Sequence, residues 1–522
     1  MMMMRALALA GLVATVGCSD PAAKPYLVVS VTAPVAVHGV DRLTVRVTID
    51  GVSLSNDLAF TGHAFPATFA VDLNGHTGPL LLEVEAYDRD RVLVGRGSAS
   101  PDAAATTGAV TLGTVDFVVN SEVANDQRLS VYEGEHGFQL AASSTGVWTV
   151  AYREQCQMPC AIQARRFDAT GVPVDSQVAA GPMAFAASVV PTTSYSTPAV
   201  ASSDDTELVV WNAQSTGLSV ACRAFDASGA AKSSEVTIAA DTGPNIVSVT
   251  KLGSSNFAVV WDSGQGGSNI RSAIVKPDCS TLTAPIAVNT VVGAVVKSSA
   301  ASGSDRILYA WLLDGNVRVR VLSNTNSPIT ADTQLVAKTA TDEVIQARVA
   351  ALGGNQFAVF TRWQSITDNA APGRIEMLRT TATGTVMGAP VVVTTKSGSD
   401  FYSSQAFGVA PRGDGSVLVV WHSCDANGDG NACGVFGRLV SASGGLVGTE
   451  LTIPTNTIGD QTGPSAAALP GGAFVIAWSD ASGAEPDHSG TAVRARIIDP
   501  SSPARTRPAP TGAPLATVTL PD

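Results

Sequence analysis

The stretch NFAVVWDS (256–263) is an apolar run that ends in Trp and then turns polar, and the chain repeats this event along most of its length. The same pattern stands in VWTVAYRE (147–154), ELVVWNA (207–213), ILYAWLL (307–313), AVFTRW (358–363), VLVVWHS (417–423) and FVIAWSD (474–480). The equivalent end positions are Tyr152, Trp211, Trp261, Trp311, Thr361, Trp421 and Trp478, at intervals of 50–60 residues. Trp148 and Trp363 fall just off those positions, so the seven Trp of the chain lie one in each unit. A fixed period of this size constrains the fold more than any local propensity, because each unit has to bury itself against copies of itself.

Each unit carries a second signature after its anchor: AIQARRFDATG (161–171), LSVACRAFDASG (218–229), NIRSAIVKPDC (269–279), NVRVRVLSN (316–324), RIEMLRTTATG (374–384), ACGVFGRLVSASG (432–444) and AVRARIIDP (492–500). A strand-like run precedes each anchor, as in TPAVAS (197–202), QARVAAL (346–352) and PSAAAL (464–469). Another follows each signature, as in EVTIA (235–239), APVVVTT (389–395) and TELTIP (449–454). Four strands per unit, repeated seven times, is the pattern of a β-propeller. No long stretch shows apolar residues at helical spacing, and the 49 Gly suit short strands and tight turns.

In the anchor strand Phe257, Val259 and Trp261 alternate with Ala258 and Val260, so both faces are apolar. Such a strand is covered on both sides, as between neighbouring sheets. Each buried aromatic anchor contributes about 1.5–3 kcal/mol. The recurring Phe-Asp-x-x-Gly reads as a turn in which Gly takes positive φ. These units resemble the Trp-anchored repeats of bacterial extracellular proteins, with "Val–Val–Trp–polar" followed by "Arg–Phe–Asp–x–x–Gly". That resemblance implies a propeller over residues 125–522 and leaves the ligand open. Units four and five depart most, lacking the Phe-Asp turn and the anchor Trp, so six to eight blades fit the pattern and seven fit it best. After a Pro-rich stretch (502–514), LATVTL (515–520) is expected to close the ring, a structureless tail being the alternative.

Residues 25–118 read differently. YLVVSVT (26–32), RLTVRVTI (42–49), PATFAVDL (66–73), LLLEVEAYD (80–88), RVLVGRG (91–97) and AVTLGTVDF (109–117) alternate apolar and polar residues between turn signals, with DLAF (57–60) as a further short strand. Short strands at this spacing suit a β-sandwich, and they resemble the immunoglobulin-like spacers of bacterial surface proteins. The chain is therefore expected to be all-β, an Ig-like sandwich followed by a seven-bladed propeller. His38, His63 and His76 fall in this region at spacings that match no ligand motif.

The N-terminus carries Arg5 and then an apolar run over residues 6–16. About 11 residues fall short of a bilayer span and suit a secretory signal. The run ends in Thr15-Val16-Gly17-Cys18, which resembles a bacterial lipoprotein signal (1–17) with Cys18 as the lipidated first residue of a tether (18–24). Membrane contact through that lipid and an outer-membrane location follow from the resemblance. The chain has seven Cys. Without Cys18 six remain, and in an exported protein they read as disulfides: Cys156 with Cys160, Cys424 with Cys433, and Cys222 with Cys279. A formal charge of −12 and no basic stripe speak against a nucleic-acid partner.

The connections after the anchors are the most polar parts of the units and should gather on one rim, where a rigid scaffold usually carries its binding residues. In HSCDANGDGNAC (422–433), Asp425, Asn427 and Asp429 resemble the front half of a calcium loop. The Glu such a loop ends on is missing, so a structural calcium ion and a stapled Asx turn are both open readings. His422 and Asp487-His488 are further polar candidates. No compact catalytic motif occurs, and the expectation is a non-enzymatic lipoprotein whose loops contact a protein or glycan. A carbohydrate-active propeller, whose carboxylates would come from different blades, and a structural subunit of an envelope assembly are the alternatives.

Overall fold

The computed structural model describes residues 26–33, 37, 40–88, 93–102, 104–119, 127–128, 140–154, 162–174, 185–186, 198–214, 218–240, 247–253, 255–263, 269–293, 295–368, 371, 373–397, 407–424, 428–429, 432–484, 491–500 and 517–519. All elements among them are strands and turns. No helix there is long and apolar enough to cross a membrane. The chain forms two compact units, one from residues 1–33, 39–112 and 507–522, the other from residues 34–38 and 113–506.

The first unit contains two sheets. One runs in the order Thr517–Thr519, Ala67–Asp72, Tyr26–Thr32, Thr107–Thr111. The other runs Val52–Ala59, Val40–Ile49, Leu80–Asp88, Leu93–Ala99. Period-two alternation decides which face each buries: Leu27, Val29 and Val31 are buried while Tyr26 and Val28 are exposed, and Leu43, Val45, Val47 and Ile49 are buried in the neighbouring sheet. Asp50 and Gly51, both at positive φ, make the tight turn between Val40–Ile49 and Val52–Ala59.

The second unit is a propeller-type arrangement of antiparallel sheets. Among the described residues there are seven. Each has an inner strand: Leu140–Ala142, Ala199–Ser202, Val247–Leu252, Val295–Ser302, Asp342–Gly353, Phe407–Pro411 and Gln461–Ala468. These touch in cyclic order, the seventh returning to the first, and line a central cavity of about 440 Å³. The anchor runs are the second strands, as in Asn256–Ser263 and Val417–Ser423.

The two-faced apolar strand reads out directly in the packing. Phe257, Val259 and Trp261 enter the seam with the second sheet, beside Val210, Val220 and Val249. Ala258 and Val260 enter the opposite seam, beside Tyr309 and Trp311. The side chains of Trp148, Trp211, Trp261, Trp311, Trp421 and Trp478 are fully buried. The Phe-Asp-x-x-Gly turns have Gly171 and Gly229 at φ of +92° and +86°. Asp168 accepts hydrogen bonds from the amides of Thr170 and Val172, holding the turn from inside. Cys222 pairs with Cys279, tying the second sheet to the third, and Cys424 pairs with Cys433 between adjacent strands of the sixth. Such bridges are the mark of an extracellular or periplasmic protein.

Ring closure differs from the sequence expectation. AVTLGTVDF is not one strand: Thr107–Thr111 stays in the first unit, and beyond the bend at 115–116 Phe117–Val118 becomes the fourth strand of the seventh sheet, antiparallel to Ala492–Ile498. Val119 N–H donates to Val493 O at 2.7 Å. Asp116 accepts the amides of Thr455 and Asn456, fixing the entry. With that edge taken, Thr517–Thr519 pairs instead in parallel with Ala67–Asp72.

Two variants, one deletion and one substitution, should separate the units. Removing residues 507–522 uncovers one edge of Ala67–Asp72, and amide exchange over 67–72 is expected to quicken at least about tenfold while the anchor strands keep their protection. Trp261→Ala should do the reverse, lowering the stability of the ring by about 3–5 kcal/mol. Hydrogen exchange read by mass spectrometry reports both.

Candidate functional site

In every sheet the second strand runs away from the turn that joins it to the inner strand, so the residues after the anchors lie at one common end of the ring. The first residue beyond each anchor is Asn212, Asp262, Leu312, Arg362, His422 and Ser479 in sheets two to seven. Five of the six are polar, and all six are buried. An apolar strand that turns polar before it reaches water has placed those groups for something other than packing. The sequence signal was present as the "Trp–polar" step, which had been read only as the start of a loop. Sheet four breaks the collar with Leu312, and there the inner strand supplies Lys297 instead.

Lys297 is positioned by a bulge. The pairing of Val295–Ser302 with its neighbour shifts between Val296 and Ser299, and Lys297 sits at φ +57°. Comparable shifts occur between Val344 and Gln346 and between Thr462 and Ser465, at the same end of two other inner strands. Bulges re-aim side chains and are common beside functional sites. Lys297 Nζ donates to Ile345 O at 2.9 Å, crossing from the fourth sheet to the fifth. In the fifth sheet Gln346 lies directly opposite Arg362, with Arg348 two residues further along the same face. Gln346 Oε1 accepts Phe407 N–H, so that face looks toward the sixth sheet.

The electrostatics follow from this crowding. Burial, together with the nearby Arg362 and Arg348 guanidinium groups, pushes the Lys297 amine down to about 8, against the opposing pull of Glu343. Burial pushes Arg348 down to about 10. Burial and the Arg362 charge hold the His422 imidazole at about 3, so the ring is neutral at physiological pH. Neither His422 nitrogen has a hydrogen-bond partner among the described residues, and the same holds for Gln364 Nε2. Carboxylates at this end include Asp262 on the third sheet, Asp332 on the fourth, Glu343 on the fifth, and Asp480 on the seventh, where it accepts Arg494 Nε–H at 2.8 Å.

The residues singled out from sequence are distributed unevenly. Tyr152 and Thr361 are buried at anchor positions, as are the anchor Trp residues. Cys433 and Gln461 are joined through Gln461 N–H donating to Cys433 O, so Cys433 meets the seventh sheet. Asp429 packs against Gly434, whose missing Cβ leaves it room. Asp425, Asn427, Cys18, Cys156, Cys160, His38, Asp487 and His488 lie outside the described residues. Among the described residues no group of three His, Cys, Asp or Glu side chains is placed to hold a metal ion. His63 and His76 are in the first unit.

No protein-family model matches the sequence. No curated protein matches it either. Among solved structures, the chain is similar to an ulvan lyase of a new polysaccharide lyase family (9% identity, 74% of this chain and 95% of that chain, TM-score 0.44). It is similar to the Dos1 propeller (10% identity, 74% and 94%, TM-score 0.41). It is also similar to the catalytic domain of an α-L-arabinofuranosidase from Coprinopsis cinerea (12% identity, 57% and 89%, TM-score 0.30). These likenesses correct one expectation. The chain was read as non-enzymatic because it lacks a compact catalytic motif, yet two of these structures are enzymes. On a ring, reacting groups come from separate sheets and leave no local motif, so a missing motif does not make a non-enzyme.

His422 gives this site a pH signature. Its folded value lies below its usual 6.5, so the unfolded chain binds the proton first as pH falls. The stability it contributes is fully present above about 6.5 and is lost as pH falls toward about 3, at up to about 1.4 kcal/mol per pH unit. In denaturant titrations between pH 6.5 and 4, His422→Gln is expected to flatten the slope by close to one proton. An unchanged slope would mean that the ring is protonated in the native state.

Proposed function

We propose that this protein is an exported, carbohydrate-directed propeller, tethered to the bacterial outer membrane by a lipid on Cys18. In this reading residues 1–17 are the signal, residues 18–24 the tether, and the N-terminal unit an Ig-like stalk. The second unit is a seven-bladed ring. Its working face is the end carrying the collar beyond the anchors.

One observation carries the reading: five buried polar residues of different chemistry, Asn212, Asp262, Arg362, His422 and Ser479, occupy one register position around the ring, just beyond the mainly apolar anchor runs. An amide, a carboxylate, a guanidinium, a neutral imidazole and a hydroxyl are the mixed donors and acceptors that a hydroxyl-rich ligand satisfies from several sides. Their recession favours a slender ligand over a folded protein, which needs roughly 800 Å² of open surface per partner. The formal charge of −12 argues against nucleic acid. Two disulfides support export.

The test is migration of the full chain through native gels containing individual plant, algal and bacterial polysaccharides, with reducing-end and unsaturated-product assays run in parallel. Retardation or cleavage is expected with at least one polymer, and it should be lost on Asn212→Ala combined with His422→Ala. A chain that neither binds nor cleaves any of them would sink the reading.

A further inference from the structure

The first unit carries a polar surface of its own, with a hollow in it. The alternation that buries Leu43, Val45 and Val47, and Leu82 and Val84 on the facing strand, turns the intervening residues outward. Register then sets them in two rows across the sheet: Asp57, Thr44, Glu85, Arg96, and beside it Ser55, Arg46, Glu83, Ser98. Thr44, Arg46, Glu83, Glu85, Arg96 and Ser98 line a hollow of about 240 Å³.

The two rows are wired differently. In the first, Arg96 Nε and Nη2 donate to Glu85 Oε1 at 3.1 and 2.8 Å, and the Tyr87 hydroxyl donates to Glu85 Oε2 at 2.8 Å. Thr44 Oγ1 donates to Asp57 Oδ1 at 2.6 Å. Burial pulls the Glu85 carboxyl upward, but the Tyr87 hydroxyl and the Arg96 and Arg46 guanidinium groups together hold it below its usual value. This wall of the hollow is charged and fixed. The second row is open. Arg46 Nη1 stands 3.6 Å from Glu83 Oε2, beyond hydrogen-bond length, and the two side chains are 53% and 42% exposed. An exposed pair at that distance contributes little to stability, so the fold does not account for it.

A gap between a guanidinium and a carboxylate selects its occupant. A hydroxyl accepts from the one and donates to the other at the same time. An anion would meet Glu83 and Glu85, and a cation would meet Arg46 and Arg96. Over the whole face Arg42, Arg46 and Arg96 balance Asp57, Glu83 and Glu85, so it exerts no long-range pull on a charged polymer. The hollow is smaller than the roughly 300–1,000 Å³ of drug-sized sites, which suits a single sugar ring. Leu81, two residues from Glu83 on the same face and 38% exposed, offers apolar contact to the ring's C–H side.

We propose that this face binds a neutral sugar residue, with Arg46 and Glu83 sharing one of its hydroxyls and Thr44, Ser98 and the Glu85–Arg96 pair contacting the others. The first unit is then a binding module as well as a stalk, and none of this rests on the collar of the ring.

Saturation-transfer NMR on the full chain in a sugar-free mild detergent tests this with five probes: the methyl glycosides of glucose, galactose, mannose and xylose, and methyl galacturonate. At least one neutral glycoside is expected to show transfer at millimolar concentration. Arg46→Ala and Glu83→Gln should each weaken its binding roughly tenfold. Because the pair is exposed, both variants should keep the melting temperature of the parent, which separates lost binding from lost fold. Transfer that survives both variants would put the sugar elsewhere on the chain, overturning this site while the collar reading stands. Transfer to the galacturonate that equals or exceeds transfer to every neutral glycoside would overturn it as well, and so would transfer to none of the five.

Discussion

The structure depends on one packing constraint: the middle strands of its sheets are apolar on both faces. Asn256–Ser263 sends Phe257, Val259 and Trp261 one way and Ala258 and Val260 the other, and each set meets a different neighbour. A linear stack of such sheets would leave two sticky outer faces, one at each end. Only a closed ring covers every face. Closure is therefore required by composition, and the polar bonds around Asp116 and Val119 serve to complete it. The entering Phe117 also packs its ring under Gly171 of the first sheet, so the closing strand stitches the two ends of the ring together as well as filling an edge.

The same constraint explains where chemistry is placed. As far as the anchor Trp, each strand is committed to its seams, and any polar group there would face an apolar neighbour. One residue later the obligation ends while burial continues, and Asn212, Asp262, Arg362, His422 and Ser479 stand at that boundary. The bulges at 296–299, 344–346 and 462–465 fall at the same level of the inner strands. Regular pairing holds over the seams and yields where the side chains have to be re-aimed. Rigidity below and irregularity above are what a recessed binding surface needs.

Much of this was legible in the residues. The period of the Trp anchors, the double-faced strand and the Asp-x-x-Gly turns all report local packing, and local packing is what a repeat writes into its sequence. The collar was half legible: His422 and the polar step after each Trp were visible, but their burial depends on neighbouring sheets. The basic cluster was not legible. Lys297 lies about fifty residues from Arg348 and carries its charge through a bulge, and QARVAAL was read simply as a strand, although its Arg in a buried run was a warning. The closing strand was misplaced for a related reason. Phe117–Val118 is two residues long, and LATVTL looked the better strand; edge pairing is decided by which partner is free in space. The reading as a non-enzyme failed because it treated a missing local motif as informative in a fold that assembles its sites from distant segments.

The route of the backbone has one more consequence. Residues 113–506 are inserted between the strand at Thr107–Thr111 and the strand at Thr517–Thr519, which lie in one sheet of the first unit. The part of the chain made first is thus the part finished last. During synthesis its sheet waits with the edge of Ala67–Asp72 open until more than four hundred further residues have emerged. An open edge of this kind invites pairing with another chain. The nascent first unit therefore needs shielding in a way that the sheets of the ring, each built from nearly contiguous sequence, do not.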